Sequence, residues 1–260
     1  MGLINLLLRD PLEFILIAIP LLYSIILHEL AHGWVAFQMG DPTAKTLGRL
    51  SFNPLRHLDP VGTLMLFIFG FGWAKPVPVN FNRLHDRHMG MILVSSAGII
   101  TNMVLAFIAL FLNRLLSPSP SSMLAVLLFY LAHINIILAA FNLIPLPPLD
   151  GSKILIGFVS PNVQNFLFRL ERYGFFIIIA FLYLGVLDPV IRFSRWLIMS
   201  FINLLLPSKR QQTTMRQADV LTVAAKHCPT AKQFFRLAAG NLHFLLFYFK
   251  QIVLVETHNS

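Results

Sequence analysis

Residues 12–39 read LEFILIAIPLLYSIILHELAHGWVAFQM, an apolar run with His28-Glu29-Leu30-Ala31-His32 set inside it. A helix of about 20 such residues crosses the roughly 30 Å hydrocarbon core of a bilayer, so this stretch predicts a membrane span with a polar cluster at depth. At about 100° per residue the two histidines lie about 40° apart on one face, where both imidazoles can reach one ion. Glu29 projects to the side of His32, which suits a base acting on water at that ion better than a ligand. Chance spacing, or histidines packed as satisfied core groups, is the alternative. It is disfavoured because each polar group in a membrane helix costs about 2 kcal/mol or more unless partnered.

Further apolar runs at 91–113, 123–146 and 173–206 extend the pattern, and 57% of the 260 residues are hydrophobic against 12% charged. That charged share is about half that of a soluble domain. The fold class expected is therefore an all-α polytopic membrane protein with about five transmembrane helices, 173–206 supplying two divided near Asp188-Pro189. Residues 41–90 differ in kind. Val61 to Phe71 is apolar for only about 11 residues, short for a span, and predicts a re-entrant or β-hairpin segment near 45–80. The first run is read as retained rather than as a cleaved signal peptide, being too long and lacking a small-residue cleavage site. Residues 1–206 form the expected membrane core, with the motif-bearing part at about 10–155. Residues 207–260 form a basic tail, read as an amphipathic surface helix with no function assigned.

One cysteine, Cys228, excludes an intrachain disulfide and a site of several thiolates. The formal charge of +9 comes with no motif that reads RNA or DNA, so anionic lipid headgroups, not nucleic acid, are the expected partner.

A catalytic tetrahedral zinc takes three protein ligands and keeps a fourth position for water. Glutamates to complete the set are scarce: Glu13, Glu29, Glu171 and Glu256 are all the chain has. Asp150 closes Asn142-Leu143-Ile144-Pro145-Leu146-Pro147-Pro148-Leu149-Asp150-Gly151, where successive prolines remove backbone donors and unwind the helix, and so aim a carboxylate back into the bundle. An aspartate that merely caps the next helix is the competing reading. His133 and Asn135 are two further polar residues at membrane depth. A helix-bridging hydrogen bond is the commoner use of such groups, with ligation by His133 the other option. The loop residues His57, His85 and His88 are expected to face water or headgroups.

His28-Glu29-x-x-His32 taken with Asn142-x-x-Pro145-x-x-x-Leu149-Asp150-Gly151 resembles the site-2 protease family of intramembrane zinc metalloproteases. Gly72-Trp73-Ala74-Lys75-Pro76-Val77-Pro78-Val79-Asn80 is similar to its compact prokaryotic branch. The resemblance implies one Zn2+ per chain on His28, His32 and Asp150, Glu29 as catalytic base, and Asn142 holding the oxyanion or the substrate backbone. Gly98-Ile99-Ile100-Thr101-Asn102 falls where the family shows Gly-Pro-x-x-Asn, with Ile99 in place of the proline. A transmembrane protein is the implied substrate.

Sidedness follows from charge. If the short apolar segment dips and returns, loops 41–90 and 147–172 share a side with the tail and carry 16 of the 20 Lys and Arg residues. The positive-inside rule then makes that side cytoplasmic, with the N-terminus outside and the catalytic centre in the cytoplasmic half of a bacterial-type cell membrane. If the segment instead crossed, His28 and Asp150 would lie at different depths. Two rival functions remain: a zinc transporter, which would string ligands across the membrane, and a catalytically inactive, metal-stabilised relative.

Overall fold

The computed structural model describes residues 3–69, 75–120 and 122–206; the Gly70–Ala74 stretch and the basic tail lie outside them. The helices are α1 (Leu3–Arg9), α2 (Pro11–Gln38), α3 (Thr43–Thr46), α4 (Pro60–Phe69), α5 (Arg87–Leu116), α6 (Met123–Asn142), α7 (Asp150–Ile156), α8 (Pro161–Tyr183) and α9 (Asp188–Leu205).

Local chemistry sets the ends of the long helices. The Asp10 carboxylate accepts from the Glu13 N–H and Pro11 occupies the first turn of α2, where its missing N–H costs nothing. Asp86 caps α5 through the Met89 N–H, and Ser122 caps α6 through the Ala125 N–H. Past the end of α2, Gly40 takes the left-handed backbone (φ 105°) that turns the chain away.

Helix α6 is the centre of the bundle. One side carries Tyr130, Ile134, Leu138 and Phe141 against Ile17, Leu21 and Ile25 of α2 and Ile178 and Leu182 of α8. The other side sets Ile136, Ala139 and Ala140 against Ile99 and Ala106 of α5 and Ile198 and Ile202 of α9. Alanines on both α5 and α6 let the backbones approach closely, the packing that associates helices where lipid removes the hydrophobic drive. The outward faces of α5 and α9 expose Ile100, Val104, Ile108, Phe193 and Trp196, a surface suited to acyl chains.

Among the described residues three helices, α2, α5 and α6, are long and apolar enough to cross a membrane. Helices α8 and α9 meet at 93°, so they count as one broken span at most, and the described residues offer three or four candidate crossings where about five are expected. The sequence run 173–206 hid this for two reasons. Helix α8 begins at Pro161, so its first half contains Arg169, Glu171 and Arg172, and the break falls at residues 184–187, where Gly185 adopts φ 70°.

The Lys75 N–H donates to the His57 carbonyl at 2.7 Å, which brings these two ends of the segment expected to be re-entrant together. Ten-residue α4 fills the outgoing limb and packs beside α1. No strand forms among the described residues of 45–80; of the two forms expected there, helix prevails over hairpin. His57 is a correction. Only 1% exposed, it makes a 2.7 Å contact from Nε2 to the Ser51 carbonyl and braces the loop, while His85 and His88 are exposed as expected.

Candidate metal centre

The C-terminal half of α2, the N-terminal half of α5 and the chain leaving α6 meet at one end of the bundle. On α2, His28 and His32 stack edge to face with centroids 4.6 Å apart. Both can pack against α5 because residue 98 is glycine: a Cβ there would stand 2.5 Å from both His28 Cε1 and His32 Nε2. His32 Nδ1 lies 2.7 Å from the Val94 carbonyl, which only accepts, so the proton sits on Nδ1 and Nε2 is bare. His28 Nδ1 meets the Asn102 side-chain amide at 3.0 Å. As placed, that fully buried amide donates from Nδ2 to Nδ1, which leaves the proton of the neutral ring on Nε2; flipped, its Oδ1 accepts from Nδ1 and frees Nε2 for a metal.

Asp150 arrives from the other side as the first residue of α7. The turn before it is set by Leu146 and Leu149, whose N–H groups donate to the Ile144 and Leu146 carbonyls, and by three prolines that donate nothing. Gly151 is required there, since a Cβ would collide with the Leu143 and Ile144 carbonyls. Asp150 Oδ2 stands 3.1 Å from His28 Nε2 and 3.1 Å from His32 Nε2, and the two Nε2 atoms are 3.0 Å apart. Oδ2 is buried and finds no hydrogen-bond donor. Three potential ligand atoms thus converge within 3.1 Å of one another. A tetrahedral ion bonded at about 2.0–2.1 Å wants its ligands about 3.3 Å apart, so the donor set fits zinc.

Glu29, half-buried beside this triangle, accepts from the Val77 N–H at 3.0 Å through Oε2. Val77 lies in the extended stretch 75–80, which is tied at both ends. The buried Arg49 guanidinium donates to the carbonyls of Lys75 (2.5 Å) and Pro76 (3.1 Å). Fully buried Asp41 accepts the Asn80 N–H at 2.7 Å and is itself fixed by the N–H and hydroxyl of Thr43. Burial pushes the Arg49 guanidinium below its ordinary value, while the Glu29 carboxylate pulls it back up. A cleft of about 800 Å³ opens here, lined by His28, Glu29, His32, Asp150, the 76–80 stretch and, at its far side, Lys153 and Glu171.

Of the residues expected at the site, His28, His32, Glu29 and Asp150 come together. Asn142 stands apart: it is fully buried, its amide nitrogen donates to the Leu138 carbonyl at 3.0 Å, and it does not line the cleft. His133 stacks on Phe129 (centroids 5.7 Å apart) away from the cluster, and Asn135 bridges helices by donating to Ser24 Oγ at 2.8 Å. Sequence reasoning named Gly98 and Asn102 as parts of a family motif without their roles beneath the rings, and it missed Arg49 and Asp41.

Fold and site together define a class: a polytopic helical membrane protein with a candidate metal centre inside its bundle. The sequence profile of Peptidase family M50 matches residues 117–185. A Bacillus subtilis (strain 168) protein named "Putative zinc metalloprotease YwhC" is 42% identical over 171 residues, covering 63% of this chain and 78% of the relative. The Mycolicibacterium smegmatis "Putative zinc metalloprotease Rip2" is 29% identical over 175 residues (65% and 67%). The Methanocaldococcus jannaschii "Putative zinc metalloprotease MJ0611" is 34% identical over 146 residues (55% and 71%). The chain belongs to peptidase family M50, the site-2 protease family. No solved structure matches it.

Proposed function

We infer that this protein is an intramembrane zinc metalloprotease that hydrolyses peptide bonds within or near transmembrane segments of membrane proteins, with one zinc per chain held by His28, His32 and Asp150. The supporting observation is the convergence of two imidazole nitrogens and a buried carboxylate oxygen, 3.0–3.1 Å apart, beside Glu29. Zinc supplies Lewis acidity when bound there, lowering the pKa of water toward about 7 and polarising a peptide carbonyl. Glu29 is the base. With Oε2 held by Val77, Oε1 has no protein partner among the described residues and is placed to take the proton of the attacking water and return it to the leaving amine.

A helical substrate must be unwound before it is cut, because its carbonyls are paired within the helix. The Val79 N–H and the carbonyls of Val77 and Val79 are unpaired among the described residues and line the cleft, so 77–79 offers an edge to which an opened segment adds as a strand. For Asn142 to hold the oxyanion or substrate backbone, the 142–149 turn must shift, since its side chain is fully buried and does not line the cleft. The active centre is assigned to the cytoplasmic half of a bacterial-type cell membrane, near anionic headgroups. The transporter alternative requires a ladder of ligands, and the described residues hold a single cluster of this kind.

The test uses Glu29→Gln, which keeps shape and the Val77 contact and removes basicity. Purified variant should retain close to one zinc per chain and bind a transmembrane peptide, yet lose nearly all cleavage of it. Wild-type protein that carries zinc across vesicle membranes and never cuts a library of membrane segments would overturn the protease reading.

A further inference from the structure

The buried Arg49 has no carboxylate partner within ion-pair distance among the described residues; its contacts are two backbone carbonyls, and its Nε has no acceptor. A buried cation so placed is costly unless it fixes something of value. What it fixes is the stretch carrying Val77, which touches α2 twice. The Val77 N–H reaches Glu29, and Val77 Cγ1 fills the notch left by Gly33, one turn further along α2, where a Cβ would stand 2.6 Å away. Pro76 and Pro78 on either side carry no N–H, so within 76–78 Val77 alone has a donor to offer Glu29.

We propose that Arg49 is a positioning residue for the catalytic carboxylate: acting through the Lys75 and Pro76 carbonyls, it holds the Val77 N–H against Glu29 Oε2 and so presents Oε1 alone to the proton in transit. This rests on Glu29 being the base. Proton transfer is sensitive to placement, so a carboxylate free to rotate between two oxygens loses rate at the chemical step while substrate binding stays as it was. Asp41, on the Asn80 N–H, anchors the far end of the same stretch.

Two perturbations approach this from different sides. Replacing valine 77 by its α-hydroxy analogue turns one amide into an ester, deleting the N–H with the side chain and the Arg49 clamp intact. Arg49→Met deletes the clamp. Each should retain close to one zinc per chain and lower kcat tenfold or more with KM within about twofold, the loss expected for a hydrogen bond to a charged group. Arg49→Lys, still able to donate to a carbonyl, should fall between wild type and Arg49→Met. Hydrogen exchange should quicken in a peptide covering 75–80 of Arg49→Met and stay unchanged across α2. Wild-type kcat in the ester variant, or a raised KM with kcat unchanged, would overturn the proposal and leave the stretch as a substrate platform only. If wild type itself cuts nothing, the reading of the site fails instead.

Discussion

Gly98→Ala tests the centre from its floor. The added Cβ would stand 2.5 Å from His28 Cε1 and His32 Nε2, about an ångström inside ordinary contact. Neither ring can swing away freely, because His32 Nδ1 is held on Val94 and His28 Nδ1 on Asn102. Metal sites tolerate ligand displacements of about 0.2 Å, so the strain falls on ion binding. Overpacking of this kind costs about 1–3 kcal/mol. At 1.4 kcal/mol per factor of ten, the zinc dissociation constant should rise roughly 5- to 140-fold. Competition with a chromophoric chelator on nanodisc-embedded protein reads this directly. Gly90→Ala is the control: it meets Leu84 Cδ1 at 2.7 Å on the same helix, far from the imidazoles, and should disturb packing without weakening zinc. Equal losses in both variants, or wild-type affinity in Gly98→Ala, would refute the placement of the rings over residue 98.

Two other outcomes follow from the same geometry. Asp150→Ala should release zinc and abolish cleavage while Asp188→Ala does neither, measured by metal content; full zinc in the Asp150 variant would return the third ligand to His133 or Glu171. Single cysteines at 45, 85 and 153 in a Cys228-free background should all react with an impermeant maleimide from the cytoplasmic face and one at 119 from outside, and labelling of 45 and 85 from opposite faces would contradict the closure at His57 and Lys75.

The His28–His32 pairing was legible because helix phase is a local rule: four residues apart is one face whatever surrounds it. Asp150 was legible from the prolines before it, which forbid the helix to continue. Gly98 was legible only through the motif it shares with Asn102; its role as the floor under the rings was not, since a glycine in an apolar helix reads as a weak position until the partner lying on it is known. Arg49 and Asp41 act on a backbone 26 and 39 residues away, and no periodicity links a side chain to a distant carbonyl or N–H. The same limit hid the bend between α8 and α9, where hydropathy was continuous and a left-handed Gly185 turned the chain.

The backbone bond between His57 and Lys75 makes the excursion from 58 to 74 a side branch with a fixed root. Because closing a loop costs only about 0.6 kcal/mol more for each doubling of its length, such a branch can grow, shrink or be exchanged while the stretch that meets Glu29 departs from the same root. One part of the molecule is thereby free to diverge in how it meets lipid and incoming segments, while the part that carries the chemistry keeps its register.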